Sequence, residues 1–179
     1  MPSPGTILIS GCSTGIGRCA AMTLQKRGWR VFAGARAEGD VQQLREHGLE
    51  AVQLDLDRSA RIAAAVETVL ASTSGRLDAL FNNAGFGQPG AVEDLSRTAL
   101  REQFESNLFG AQELTNRLLP VMRRQGAGRV VYNSSVLGFA AMPYRGAYVA
   151  SKFAMEGLVD SLRMELRGSG IHVSLIEPG

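Results

Sequence analysis

The sequence predicts a doubly wound α/β fold, a single domain with helices on both faces of a parallel sheet, and three observations carry that prediction. Short β-rich apolar runs alternate with longer helical patterns, the order that parallel strands and crossover helices impose. Gly28, Gly48 and Gly126 fall where three of those helical patterns should stop. A glycine-rich turn, SGCSTGIG at 10–17, joins the first apolar run to the first helical pattern. Sheets of this kind bind ligands outside the carboxyl ends of their strands.

In chain order, the first strand is TILIS (6–10), followed by a helix near 15–27. RVFAGA (30–35) is the second strand, with a helix at 38–47, and AVQLD (51–55) the third, with a helix at 59–72. ALFNN (79–83) precedes a long helix over 97–125. Pro120 lies inside that helix and should bend or break it, because proline has no N–H to donate. RVVYNS (129–134) leads to a helix at 147–167, and HVSLIE (172–177) is the sixth strand. No repeat, linker or second domain interrupts this order over 1–179.

Composition narrows the function. A chain of 179 residues, 45% hydrophobic and 20% charged, matches an ordinary soluble domain with one core. A formal net charge of +2 without a basic block gives no reason to expect a nucleic acid or a membrane surface as partner. Cys12 and Cys19 have no metal-ligand spacing and read as reduced thiols, so a cytoplasmic protein without a metal is expected. The opening MPSPGTILIS has neither the basic region of a signal peptide nor the length of a membrane anchor.

The glycines of the 10–17 turn are Gly11, Gly15 and Gly17, spaced GxxxGxG. Gly11 permits the tight turn, Gly15 a close approach to the backbone, and Gly17 close helix–strand packing. With Ser13, Thr14 and Ile16 they offer the N–H groups of a helix start to an anion. No Gly-Lys-Ser/Thr closes the turn, so a dinucleotide is the expected ligand. At the tip of the second strand, where an acid would hold a ribose 2′-hydroxyl, stand Ala35 and Arg36. A guanidinium there suits a 2′-phosphate, so NADP(H) is expected ahead of NAD(H).

Lys26 and Lys152 are the chain's two lysines, and the second follows Tyr148 by four residues in YVASK. On a helix these two side chains share a face. A free phenol titrates near pH ~10, too high for a base at neutrality. An ammonium beside it stabilises the phenolate and brings proton exchange into a useful range.

Together with NNAG (82–85), Asn107 in SNLFG, the serines at 134–135 and EPG at 177–179, these motifs stand in the order used by short-chain dehydrogenase/reductases. The chain resembles the non-extended branch of that family over essentially its whole length; the epimerase-like extended branch usually shows a different glycine spacing. Ser10 departs slightly, standing where many members have Thr. The resemblance implies a Rossmann fold and hydride transfer between a nicotinamide and a carbonyl or alcohol. It gives Tyr148 the proton exchange with the substrate oxygen and Lys152 the nicotinamide ribose as well. Family spacing selects Ser135 to hydrogen-bond that oxygen, with Ser134 on the other face of its strand. Asn107 is implied to hold a water-linked proton relay to Lys152. Asp55 and Leu56 resemble adenine contacts, Asn83, Ala84 and Gly85 would line the cofactor, and Pro178 and Gly179 would approach the nicotinamide.

Other residues receive structural or open assignments. Asn82 is expected to tie strands together and Asp57 to cap the following helix. Phe86, Phe139, Met142 and Pro143 either line an apolar substrate pocket or pack within loops, and neither His47 nor His172 is given a catalytic role. The stretch 133–158 resembles members that act on steroids, retinoids and other lipophilic carbonyls, so a small-molecule substrate is expected. A regulator or scaffold that binds NADP(H) without chemistry is the alternative, opposed by the intact Ser135–Tyr148–Lys152 set. The resemblance also implies a homodimer or homotetramer, paired through the helices at 97–125 and 147–167. Apolar stripes of Leu108, Ala111, Leu114 and Leu118, and of Ala154, Leu158, Ser161 and Met164, allow that pairing. Family members continue beyond the sixth strand into a substrate segment, so the chain is expected to be C-terminally incomplete.

Overall fold

Six strands form one sheet in the computed structural model, which describes residues 5–179 and leaves the first four residues of the N-terminal segment outside. They are β1 (Thr6–Ile9), β2 (Arg30–Ala35), β3 (Glu50–Gln53), β4 (Ala79–Asn82), β5 (Gly128–Asn133) and β6 (Ile171–Ile176). The order across the sheet is β3-β2-β1-β4-β5-β6, and every pairing is parallel. The helices are α1 (Gly15–Lys26), α2 (Glu38–Glu46), α3 (Ser59–Ser72), α4 (Arg97–Phe104), α5 (Gly110–Gln125) and α6 (Gly146–Glu165). This is the doubly wound Rossmann architecture that the alternation of apolar runs predicts.

Alternate strand residues serve the two faces. Ile7, Ile9, Val31 and Ala33 pack with Ala21 of α1 and with Val41 and Leu44 of α2. Their neighbours Leu8 and Phe32 join Val130, Tyr132 and residues of α3, α5 and α6 on the opposite face. Leu114, Leu118 and Met122 of α5 are fully buried there, each stabilising the fold by about 1.5–3 kcal/mol. The backbone at Gly28, Gly48 and Gly126 has φ of 86°, 80° and 67°, the left-handed turn with which glycine ends a helix.

Four expectations are corrected. The predicted 97–125 helix does contain an irregularity, but α5 runs through Pro120 unbroken and the interruption is a π-turn at Glu105–Phe109. Ala111, Leu114 and Leu118 face the chain's own core, so the α5 stripe is not available to a second copy. On α6, by contrast, Leu158 and Met164 remain exposed. Asp57 does not cap α3, whose preceding residue is Arg58; its carboxylate instead accepts a hydrogen bond from the Ser106 hydroxyl. Asn82 ties a strand to a helix rather than strand to strand, donating to Thr115 Oγ1 at 2.8 Å.

Successive crossovers run outward in opposite directions from β1 and β4, which opens a crevice at the carboxyl ends of these neighbours. Asn83 and Ser10 close its floor. Ser10 Oγ accepts the N–H groups of Asn83 and Ala84, both at 3.0 Å, while Asn83 Nδ2 donates to the carbonyls of Ser10 and Gly11.

Candidate active site

The crevice has two adjoining compartments of about 870 and 460 Å³, which share Asn83, Gly85, Phe86 and Asn133. The larger one is lined by Gly11, Ser13, Thr14, Gly15, Ile16, Arg36, Asp55, Leu56, Asn83, Ala84 and Gly85, all named from the sequence. Asp40 and Ser106 also line it without a local signal, because α2 and the π-turn deliver them from elsewhere, and so does Asp57, the residue expected to cap α3. Gly17 does not line it. A Cβ there would stand 2.2 Å from the Gly11 carbonyl oxygen, so this glycine allows α1 to approach the strand turn.

The geometry of this compartment fits the pyrophosphate of a dinucleotide. Thr14, at the start of α1, makes no side-chain cap, and the first turn of α1 contains no acidic residue. Its N–H groups and the positive end of the helix dipole are therefore free for an anion. Gly15 has φ 57° and open space where a Cβ would be, so the backbone can be approached closely. Cys12, inside the same turn, is buried and its thiol is pushed up to about 12 by burial, which makes it an inert packing residue. Arg36 lies at the far end, three-quarters exposed, with Asp57 Oδ2 4.0 Å from its Nη1.

The smaller compartment gathers Ser135, Tyr148, Lys152 and Gly179 with Phe86, Val136, Leu137, Met142 and Arg145. Tyr148 and Lys152 are neighbours on α6, with the ammonium 5.5 Å from the phenol ring centroid. Lys152 is only 4% exposed and donates to the Asn133 carbonyl at 2.5 Å, which leaves two of its three N–H donors unused. Burial pushes the ammonium from 10.5 down to about 8, and the nearby Glu156 carboxylate pulls it partly back. Tyr132 contrasts with Tyr148: it is buried in the core, donates to Thr115 Oγ1 at 2.7 Å, and is pushed up to about 12 by burial.

Ser135 faces the compartment, accepting from Leu137 N–H at 3.1 Å and donating to the Pro178 carbonyl at 3.4 Å. Ser134 is buried away from it with an unpartnered hydroxyl. Phe86 and Met142 line the compartment; Phe139 and Pro143 are outside its lining. Pro178 also contributes only a carbonyl to this loop, accepting from Val136 N–H at 3.0 Å.

Asn107 is brought near but not into the crevice. Fully buried in the π-turn, it donates to Phe86 O and Ser151 Oγ and accepts from Phe86 N–H at 3.0 Å. Ser151 in turn donates to Tyr148 O at 2.8 Å, so Asn107 fastens the start of α6 to the loop after β4. No hydrogen bond among the described residues joins its side chain to Lys152, whose ammonium donates to the Asn133 carbonyl. Asn133 and Arg145 are the polar lining residues of the smaller compartment that the sequence reading missed. A polar residue at the carboxyl end of a central parallel strand, and an arginine one helical turn before Tyr148, were the signals available.

Among the described residues no group of His, Cys, Asp and Glu could hold a metal ion, and no helix is long and apolar enough to cross a membrane. A family model described as short chain dehydrogenase matches residues 5–179. The uncharacterized oxidoreductase YbbO of Escherichia coli K12 is 49% identical, with 97% of this chain and 65% of that protein covered. Retinol dehydrogenase 8 of Homo sapiens is 39% identical, with 99% of this chain and 59% of that protein covered. The crystal structure of 3-ketoacyl-(acyl-carrier-protein) reductase from Brucella melitensis complexed with NADH superposes with a TM-score of 0.92 at 26% identity, covering 97% of this chain and 75% of that one. The chain thus spans 65% and 59% of the lengths of the two curated relatives.

Proposed function

The chain belongs to the short-chain dehydrogenase family, and on that premise we propose that it transfers a hydride between NADP(H) and the carbonyl or alcohol of a lipophilic small molecule. The observation that carries this reading is the pairing of Tyr148 with a buried Lys152 beside an uncapped helix start in one crevice. A bound nicotinamide would supply or accept the hydride. Tyr148, whose hydroxyl has no hydrogen-bond partner among the described residues, gives a proton to the carbonyl oxygen in reduction and takes one from the alcohol in oxidation. Ser135 donates to the same oxygen and stabilises charge that builds there.

Lys152 has two tasks in this reading. Its unused N–H donors hold the ribose hydroxyls of the cofactor, and its charge favours the phenolate form of Tyr148. Asn133 fixes the ammonium through its carbonyl. Asn107 acts by position, holding α6 through Ser151. Arg36 supports NADP(H): its ion pair with Asp57 is long and exposed, worth at most about 1 kcal/mol, and a 2′-phosphate offers a stronger bidentate partner.

The test is an assay of the full-length protein with NADPH against lipophilic aldehydes and ketones, beside direct titration of NADPH and NADH. Carbonyl-dependent oxidation of NADPH is expected; binding of NADPH without turnover of any carbonyl would favour the non-catalytic regulator instead. A homodimer is also proposed, now through the exposed Leu158 and Met164 of α6 rather than through α5. Light scattering at micromolar concentration reads it, and a fully active monomer contradicts it.

A further inference from the structure

We propose that Arg145 selects a carbonyl substrate carrying an anionic group, a carboxylate on an otherwise apolar body. The proposal rests on the reading of Tyr148 as the group facing the reacting oxygen. Arg145 lines the compartment of about 460 Å³ together with Ser135, Tyr148 and Lys152. No acidic side chain lines that compartment, whereas Arg36 shares the other one with Asp40, Asp55 and Asp57. Among the described residues the Arg145 guanidinium makes no ion pair. Lys152 already has a carbonyl partner and a cofactor task, so Arg145 is the cation left for a substrate.

Its aim is built into the backbone. Tyr144 holds the left-handed conformation at φ 60°, which a tyrosine rarely adopts. Its carbonyl accepts from Gly90 N–H at 3.0 Å, and Gly90 pairs with Arg145 in an isolated bridge. The Arg145 carbonyl accepts from Val149 N–H at 2.8 Å, which locks it to the first turn of α6. Gly87 lies beside both groups: a Cβ there would stand at ordinary contact distance from each, 3.5 Å from the Tyr148 ring and 3.9 Å from Arg145 Nη1. Phenol ring and guanidinium therefore flank one point. The first turn of α6 has no acidic residue and no side-chain cap, so the helix field adds to the guanidinium charge.

The remaining wall is apolar, with Phe86, Val136, Leu137 and Met142. An anion a few bonds from the reacting carbonyl, on an apolar chain, matches a phenol and a guanidinium one helical turn apart. The test compares a long-chain γ-oxo acid with its methyl ester, using NADPH and the full-length protein as wild type, Arg145→Leu and Arg145→Glu. The ratio of kcat/KM, acid over ester, is expected to be about tenfold or more in wild type, the lower range for a charge-assisted hydrogen bond. It should fall to about one in Arg145→Leu and invert in Arg145→Glu. The same ratio in all three proteins overturns the proposal. Titration of the acid into NADP⁺-loaded protein, which has no hydride to give, reads it without turnover: binding about tenfold weaker in Arg145→Leu supports it even where the catalytic reading fails, and equal binding overturns it.

Discussion

The two compartments of the crevice are made by opposite means. The larger one presents to a ligand the backbone of one short segment, Gly11 to Ile16, where an uncapped helix start and an open glycine face the cavity, with residues from beyond the ends of β2, β3 and β4 around it. Its charges are mixed and solvated, one arginine among three aspartates, with Arg36 three-quarters exposed. The smaller compartment takes its form from side chains delivered by the ends of β4 and β5 and by α6, and its charged lining is Lys152 and Arg145 without an acid. Charges in the first are screened and cheap to change; the lysine in the second is desolvated, so each electrostatic contact there counts for more. The contrast teaches where large effects should lie.

The largest should follow Lys152→Ala. Turnover in the full-length protein is expected to fall by about 10²–10⁴-fold, the range of general acid–base assistance, with NADPH binding weakened as well. Binding left intact would remove the lysine from the ribose. Next comes the serine pair. Ser135→Ala should lower kcat by roughly 10²–10³-fold, as loss of an oxyanion donor does, and Ser134→Ala far less. The reverse order would mean that the buried Ser134 hydroxyl, not Ser135, serves the substrate.

Effects in the larger compartment should be smaller. NADPH is expected to bind tighter than NADH by about 1–3 kcal/mol, the worth of a charged hydrogen bond, and Arg36→Asp should reverse that order. Asp57→Asn, which frees Arg36, should strengthen NADPH binding by less than about tenfold. Equal titration curves for both cofactors with the unmutated protein would break the assignment.

A pH effect separates the compartments further. Lys152 titrates lower in the folded chain, at about 8, than the ordinary 10.5. Between those values the unfolded state binds more protons, so the lysine's contribution to stability rises with pH through that window and is least favourable below about 8. Denaturant titrations across this range should show the rise in wild type and a flatter profile in Lys152→Met. Identical profiles would place the lysine in water.

What the sequence reading could and could not anticipate follows the same division. Strands, helix ends and the glycine turn were legible because they depend on local periodicity and on backbone freedom at residues such as Gly28 and Gly126. The pairing of Tyr148 with Lys152 was legible because a helix places residues four apart together. Partners distant in sequence were not. Asn107 reaches Phe86 and Ser151, Asp57 reaches Ser106, and Asn82 reaches Thr115, each across 20 or more residues. Pro120 drew attention as a breaker, yet the departure from α-helix occurs at the π-turn around Asn107, where an interior polar side chain finds its hydrogen bonds in neighbouring elements.

The most direct test of the account is Tyr148→Phe in the full-length protein, with NADPH binding and carbonyl-dependent NADPH oxidation measured on the same samples. The substitution removes one hydroxyl and leaves the glycine turn and Lys152 untouched. The account predicts NADPH affinity within about threefold of wild type and turnover lower by about 10²–10⁴-fold. Wild-type turnover in the Tyr148→Phe variant would contradict it.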